Sequence, residues 1–144
     1  MYMKKIFILI VALLTIGMAA DAQVQVKKKT TSEEIYSGRM GGISVDCMNG
    51  TYFLSICSTN QFDNYYVICL GQNAAEAVAS IESFIEIAKT IKKGESYEIE
   101  TLTKSFTIQK GITKNEIWFK ASGYAGYAST NVYEMNKILD AFVK

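Results

Sequence analysis

Two stretches of this chain carry the same four-residue device, and it fixes where helices begin. Asn73-Ala-Ala-Glu76 and Asn131-Val-Tyr-Glu134 each set an Asn three residues ahead of a Glu. An Asn at that place accepts a hydrogen bond from an orphan amide of the first turn, and the Glu supports the same turn, close to a capping box. After the first device, Ala77, Val78, Ile81, Phe84, Ile85, Ala88 and Ile91 recur with helical period, while Glu82, Glu86 and Lys89 fall off the stripe. This predicts a helix from Asn73 to about Lys93, with Gly94 as its C-terminal cap. After the second, Val132, Met135, Ile138, Leu139 and Phe142 predict a helix to the C-terminus. Each helix has one apolar stripe and needs a surface to bury it against.

That surface is written in period two. Ile43, Val45 and Cys47 share one face, and Ser44, Asp46 and Met48 the other. Asn49-Gly50 is a two-residue hairpin signal, because both residues tolerate the left-handed backbone of a type I′ turn. Pairing across it sets Cys47 against Tyr52, Val45 against Leu54 and Ile43 against Ile56, so the apolar face stays in register. Asn64 to Leu70 reads as a third strand and Glu33 to Met40 as a leading edge strand. After the first helix, Ser96 to Thr103, Lys104 to Gln109 and Glu116 to Ala121 read as strands, and the Gly-rich run Tyr124 to Ser129 as a last strand or a loop.

The two halves superpose. Asn73, Glu76, Ile81 and Phe84 fall on Asn131, Glu134, Leu139 and Phe142 at a constant offset of 58 residues, and Tyr66 falls on Tyr124 at the same offset. The expectation is an α+β fold of two ββββα repeats, 35–94 and 95–144, with two amphipathic helices on one face of an antiparallel sheet. The other face is left for water or a partner.

The first residues bear on where the chain works. Lys4 and Lys5 head an apolar run from Ile6 to Met18, which ends in Ala20-Asp21-Ala22. A basic head, a short apolar core and small residues at the cleavage positions make a secretory signal peptide. The run is too short for a membrane span, which takes about 20 residues. Residues 1–22 are therefore expected to be removed, which leaves a flexible tail over 23–34 that contains Lys27, Lys28 and Lys29, and no stable membrane span. The expected location is secreted or periplasmic. Cleavage removes Lys4, Lys5 and Asp21, so the formal charge of +1 becomes neutral. A neutral chain offers no electrostatic attraction for nucleic acid, which is not expected as a partner on this ground.

The chain contains no His and no Pro. Ser-His and Cys-His nucleophile pairs and His-ligated zinc are excluded. The three cysteines, Cys47, Cys57 and Cys69, match no zinc spacing, so no metal and no cofactor is expected. Cys57 and Cys69 have the same parity on neighbouring strands, which makes a cross-strand disulfide conceivable if their Cα atoms approach within about 7 Å.

Two ββββα units in tandem resemble the whirly and PUR-domain arrangement. The resemblance covers most of the mature chain as an order of elements and carries no motif, so it assigns no binding residue. It implies paired repeats that bind single-stranded nucleic acid. The leader, with its Lys-Lys head and Ala-Asp-Ala-Gln end, is similar to those of small exported proteins of gut Bacteroidetes.

The candidate site is the sheet face opposite the helices. It carries Ser44, Asp46, Met48, Phe53, Ser55, Cys57, Tyr65, Val67 and Cys69 from the first repeat, and Trp118 and Lys120, with Thr107 and Gln109 nearby, from the second. Phe53 and Trp118 take equivalent positions. Large aromatics on a face that should be wet call for a ligand or for burial against a second subunit. A second candidate is Tyr124-Ala-Gly-Tyr127, where two Tyr precede a helix N-terminus whose amides suit an anion. Asp46, Glu98, Glu100 and Glu116 are the acids available for catalysis, and nothing in their spacing makes them converge. The function expected is a secreted, non-catalytic binding or interaction module for a protein or glycan at the cell envelope, as a homo-oligomer. The alternatives are a whirly-like nucleic-acid binder and a small hydrolase using carboxylates.

Overall fold

The computed structural model describes residues 31–59, 65–124 and 126–143. The leader 1–22 and tail residues 23–30 lie outside the described residues. The first repeat contains β1 (Ser32–Gly38), a 3-10 turn (Arg39–Gly41), β2 (Ile43–Met48), β3 (Thr51–Cys57), β4 (Tyr65–Gly71) and α1 (Ala74–Thr90). The second contains β5 (Ser96–Glu100), β6 (Ser105–Lys110), β7 (Glu116–Lys120), β8 (Ala128–Asn131) and α2 (Val132–Val143). The order is ββββα twice, in the α+β class. Each repeat builds its own antiparallel sheet of four strands in sequential order, β1-β2-β3-β4 and β5-β6-β7-β8.

The hairpin forms in the register that the sequence requires, with Ile43 opposite Ile56, Val45 opposite Leu54 and Cys47 opposite Tyr52. Asn49 and Gly50 turn it with φ of 51° and 83°. β1 starts at Ser32, so residues 32–34, read as the end of a tail, are already paired with β2. The helix caps also form. The Asn73 side chain accepts from Glu76 N at 2.8 Å, and Asn131 accepts from Glu134 N at 2.9 Å. Gly94 does not cap α1. The helix leaves at Ile91, whose ψ of 135° turns the chain extended, and Gly94 instead takes the left-handed position of the following turn with φ of 90°.

The two repeats interlock. Phe84 of α1 meets Phe119 of β7 edge-on at 5.3 Å, and Phe142 of α2 packs on Tyr52 of β3 at 5.5 Å. Each helix thus reaches the sheet of the other repeat. One core results, with Ile43, Leu54, Ile56, Ile68 and Ile81 from the first half and Phe106, Ile108, Ile117 and Ile138 from the second all buried. Burial of each such side chain is worth about 1.5–3 kcal/mol. A half-chain would expose this shared surface. Among the described residues no helix is long and apolar enough to cross a membrane.

Candidate functional site

The alternation that buries Ile117 and Phe119 turns Trp118 and Lys120 to the outward side of the second sheet. There Ser96, Gln109, Trp118 and Ser129 stand opposite one another, in a row that crosses all four strands. Lys120 stands opposite Thr107 one step away on the same face.

Trp118 stacks on Tyr127, with ring centroids 4.0 Å apart and planes inclined by 23°. The indole ring and the Tyr127 backbone are both held from outside the pair. The Trp118 indole N–H donates to Glu116 Oε1 at 3.2 Å. That same oxygen accepts from the Ile112 amide at 2.7 Å and the Thr113 amide at 3.3 Å, so one carboxylate ties the β6–β7 loop to the indole. A Cβ at position 111 would run into the Glu116 side chain, so glycine leaves that carboxylate its place against the loop. Tyr127 is clamped by Thr59 of the first repeat: the Thr59 amide donates to the Tyr127 carbonyl at 2.9 Å, and the Tyr127 amide donates to Thr59 Oγ1 at 3.1 Å.

The first sheet is arranged differently. Phe53 lies between Asp46 and Cys69, on a separate sheet from Trp118, and among the described residues no ring contact joins the two. Phe53 is half-buried and Cys69 is buried. Burial pushes the Cys69 thiol up from its ordinary range, while the Gly71 and Leu102 amides act against that. The backbone of Leu102, in the turn after β5, therefore reaches the Cys69 thiol. Tyr65 is exposed, and its hydroxyl donates to the Gly41 carbonyl at 3.0 Å. Phe53 and Trp118 thus do not form one platform. The sequence gives no sign of this, because the division into two sheets follows from strand pairing that is not local.

Two expectations are corrected. All three cysteines are free thiols. Cys57 stands opposite Tyr65 and Cys69 opposite Phe53, which puts the two thiols four rungs apart, about 13 Å along the strands and beyond a disulfide's reach. Tyr124 does not line a site with Tyr127. Its ring stacks on Tyr66 at 4.7 Å and on Phe106 at 6.5 Å, under the Lys104 ammonium at 4.2 Å. Nor are the first-turn amides of α2 open to an anion. The Asn131 cap and the Glu134 carboxylate already sit there, and the two Glu134 oxygens accept from Arg39 Nε and Nη2.

Arg39 is the only arginine of the chain, and its place in the Gly-rich turn Gly38-Arg-Met-Gly-Gly42 was a readable signal of a special role. It also donates to the Ser129 carbonyl at 2.8 Å. With Tyr36, Asn131, Tyr133, Glu134 and Lys137 it lines an open groove of about 560 Å³. A second open groove of about 570 Å³ lies at the end of the second sheet, lined by Lys93, Glu95, Ser96, Gln109, Lys110 and Ile112. Asp46 lies on the first sheet, Glu98 and Glu100 on β5, and Glu116 in the loop network, so the four acids read from the sequence do not gather. Among the described residues no group of three or more His, Cys, Asp or Glu could hold a metal ion.

No protein-family model, no characterised protein and no solved structure matches this chain.

Proposed function

We propose that this chain is an exported, non-catalytic binding module, which meets its partner at the cell envelope through the outward face of the second sheet. The observation that carries the reading is the Trp118–Tyr127 stack. Glu116 holds its indole, and Thr59 holds the backbone that carries the Tyr127 ring. A pre-positioned aromatic pair loses little entropy on binding and offers flat contact area with polar neighbours. Lys120, Gln109 and Thr107 supply those neighbours. The secretory leader read over 1–22 supports an extracytoplasmic location, secreted or periplasmic.

Trp118 is the chain's one tryptophan, so its emission reports on this face alone. Titration with candidate glycans and envelope proteins should shift that emission, and Trp118→Ala and Tyr127→Ala should abolish binding while the far-ultraviolet circular dichroism stays unchanged. Binding that survives both substitutions would remove the face from consideration. Light scattering belongs beside it: a dimer dissociated by Trp118→Ala would assign the same face to a second copy of the chain.

A whirly-like binder of single-stranded nucleic acid is the second reading. It is favoured by the tandem ββββα order and opposed by the near-neutral charge, since such binders track the phosphate backbone with a basic groove.

A further inference from the structure

On the outward side of the second sheet, Trp118 is the only apolar side chain that strand parity supplies. β5 contributes Ser and Glu there, β6 contributes Ser, Thr and Gln, β7 adds Glu116 and Lys120, and β8 adds Ser129 and Asn131. Tyr127, just ahead of β8, adds its ring by stacking on the indole. A protein partner calls for an apolar patch at the centre of its interface, with charge kept to the rim. Here one ring pair stands among hydroxyls, amides and charges of both signs.

Those charges balance. Glu98, Thr107 and Lys120 form one row across three strands, with Glu100 exposed beyond them on β5. In the groove at the end of the sheet, Glu95 stands with Lys93 and Lys110. Glu95, Glu98 and Glu100 thus answer Lys93, Lys110 and Lys120, while Glu116 Oε1 is taken up by three N–H groups. Among the described residues the one ion pair is Arg39–Glu134, so Glu98 and Lys120 do not neutralise each other by contact. The surface therefore offers acceptors and donors side by side without a net charge to select an ion. A sugar hydroxyl both donates and accepts, as do the Ser, Thr and Gln side chains around the ring.

The row Ser96, Gln109, Trp118, Ser129 crosses all four strands. Neighbouring strands lie about 4.8 Å apart, so the row spans about 14 Å, longer than one sugar ring. At its β5 end, Ser96 and Gln109 also line the groove of about 570 Å³.

We propose that this surface binds a neutral oligosaccharide, which stacks one ring on Trp118 and runs across the strands past Gln109 and Ser96 into the groove. This rests on the reading of the Trp118 face given above and names its ligand class. In the neighbouring row, Glu98 accepts from hydroxyls of the same chain and Lys120 donates to them. A nucleic acid is a poorer match. Glu98 and Glu100 repel its phosphates, and Tyr127 already covers one face of the indole, so the site offers one stacking step rather than a run of platforms for successive bases.

The test titrates the purified protein with three neutral tetramers (cellotetraose, maltotetraose and the N-acetylated chitin tetramer), with glucose, with the acidic tetragalacturonate and with the single strand dT8. Calorimetry gives affinity, and Trp118 emission gives location. At least one neutral tetramer should bind about tenfold or more tighter than glucose, tetragalacturonate and dT8. Its affinity should hold level as salt rises, because no ion pair forms on binding. Ser96→Ala combined with Gln109→Ala should weaken it about tenfold or more without moving the melting temperature. Absence of neutral-tetramer binding, equal affinity for glucose, a preference for tetragalacturonate or dT8, or unchanged affinity in the double variant would overturn the proposal. If emission still shifts with the preferred probe, only the ligand class falls. If a probe binds with silent emission and Trp118→Phe leaves its affinity unchanged, the face itself is wrong.

Discussion

The rings of Tyr66 and Tyr124 stack at 4.7 Å although the residues stand 58 positions apart, and 58 is also the separation of the capping residues Asn73 and Asn131. At this pair, residues that correspond between the repeats touch each other. Phe106 completes the cluster, 6.4 Å from Tyr66. The Tyr66 hydroxyl reaches across the same boundary to donate to the Gly126 carbonyl at 2.8 Å. Correspondence in sequence has become contact in space, and the aromatic cluster is a seam between the halves.

Breaking the seam should cost stability in a graded way. Tyr66 is fully buried, so Tyr66→Ala should destabilise by about 3–5 kcal/mol, whereas Tyr66→Phe should lose about 1 kcal/mol, that of one hydrogen bond. A double-mutant cycle with Tyr124→Ala should return a coupling of about 0.5–1.5 kcal/mol. Urea unfolding measures all three, and zero coupling would mean that the stack adds nothing beyond burial.

The two caps should be equivalent and independent. Asn73→Ala and Asn131→Ala each remove one side-chain acceptor from a first-turn amide, at about 1 kcal/mol apiece. The double variant should lose close to the sum. A single cooperative transition should persist throughout, because the helices share one core. Two separate transitions in thermal unfolding would show that the repeats are independent units.

Much of this fold was legible because its signals are local. The capping Asn residues, the Asn49-Gly50 turn and the alternation of Ile43, Val45, Leu54 and Ile56 each act within a few residues, and the structure keeps the pairings they imply. What was not legible depends on distant partners. Nothing near Phe53 says that Leu102 will come to Cys69, beside it on β4, and nothing near Tyr124 says that Tyr66 and Phe106 will take its ring. The candidate site was half legible for the same reason: parity turns Trp118 and Lys120 outward, but the clamp on Tyr127 comes from Thr59 in the other repeat.

The turn after β1 should respond in opposite directions to two adjacent substitutions. Arg39 and Met40 both have left-handed backbone, with φ of 49° and 54°, a conformation that costs roughly 1–2 kcal/mol for a residue with a Cβ. Met40 is fully exposed, so Met40→Gly should relieve strain and stabilise by about 0.5–1 kcal/mol. Arg39 offsets its own cost through the fork to Glu134 and the bond to Ser129. Arg39→Ala should therefore destabilise by about 1–2 kcal/mol, and Arg39→Lys should recover little of it, because an ammonium cannot make the two-armed contact. Chemical denaturation of the three variants checks the signs. A destabilising Met40→Gly would mean that the Met40 side chain is engaged after all.

One thiol and one phenol should make the protein sensitive to alkali. Cys69 is buried, and burial is the chief reason its thiol sits above its ordinary value of 9.0. Tyr52 is raised above 10.0, first by burial and then by its hydrogen bond with Cys47 and the charges of Cys47 and Glu33. For both groups the folded chain keeps a proton that the unfolded chain gives up. Below pH 9 neither state has lost it and stability does not depend on these groups; as pH climbs past 9 and then 10 the unfolded state ionises first, and stability falls. The melting temperature should be flat from pH 7 to about 9 and drop beyond, with a shallower drop in Cys69→Ala. Thiol labelling gives a second readout. Cys57 is exposed and should react at once, while Cys69, buried and poor in thiolate, should react only as the protein opens. A melting temperature that holds level to pH 11, or equal labelling rates at Cys57 and Cys69, would show that Cys69 is not shielded from solvent in the folded chain.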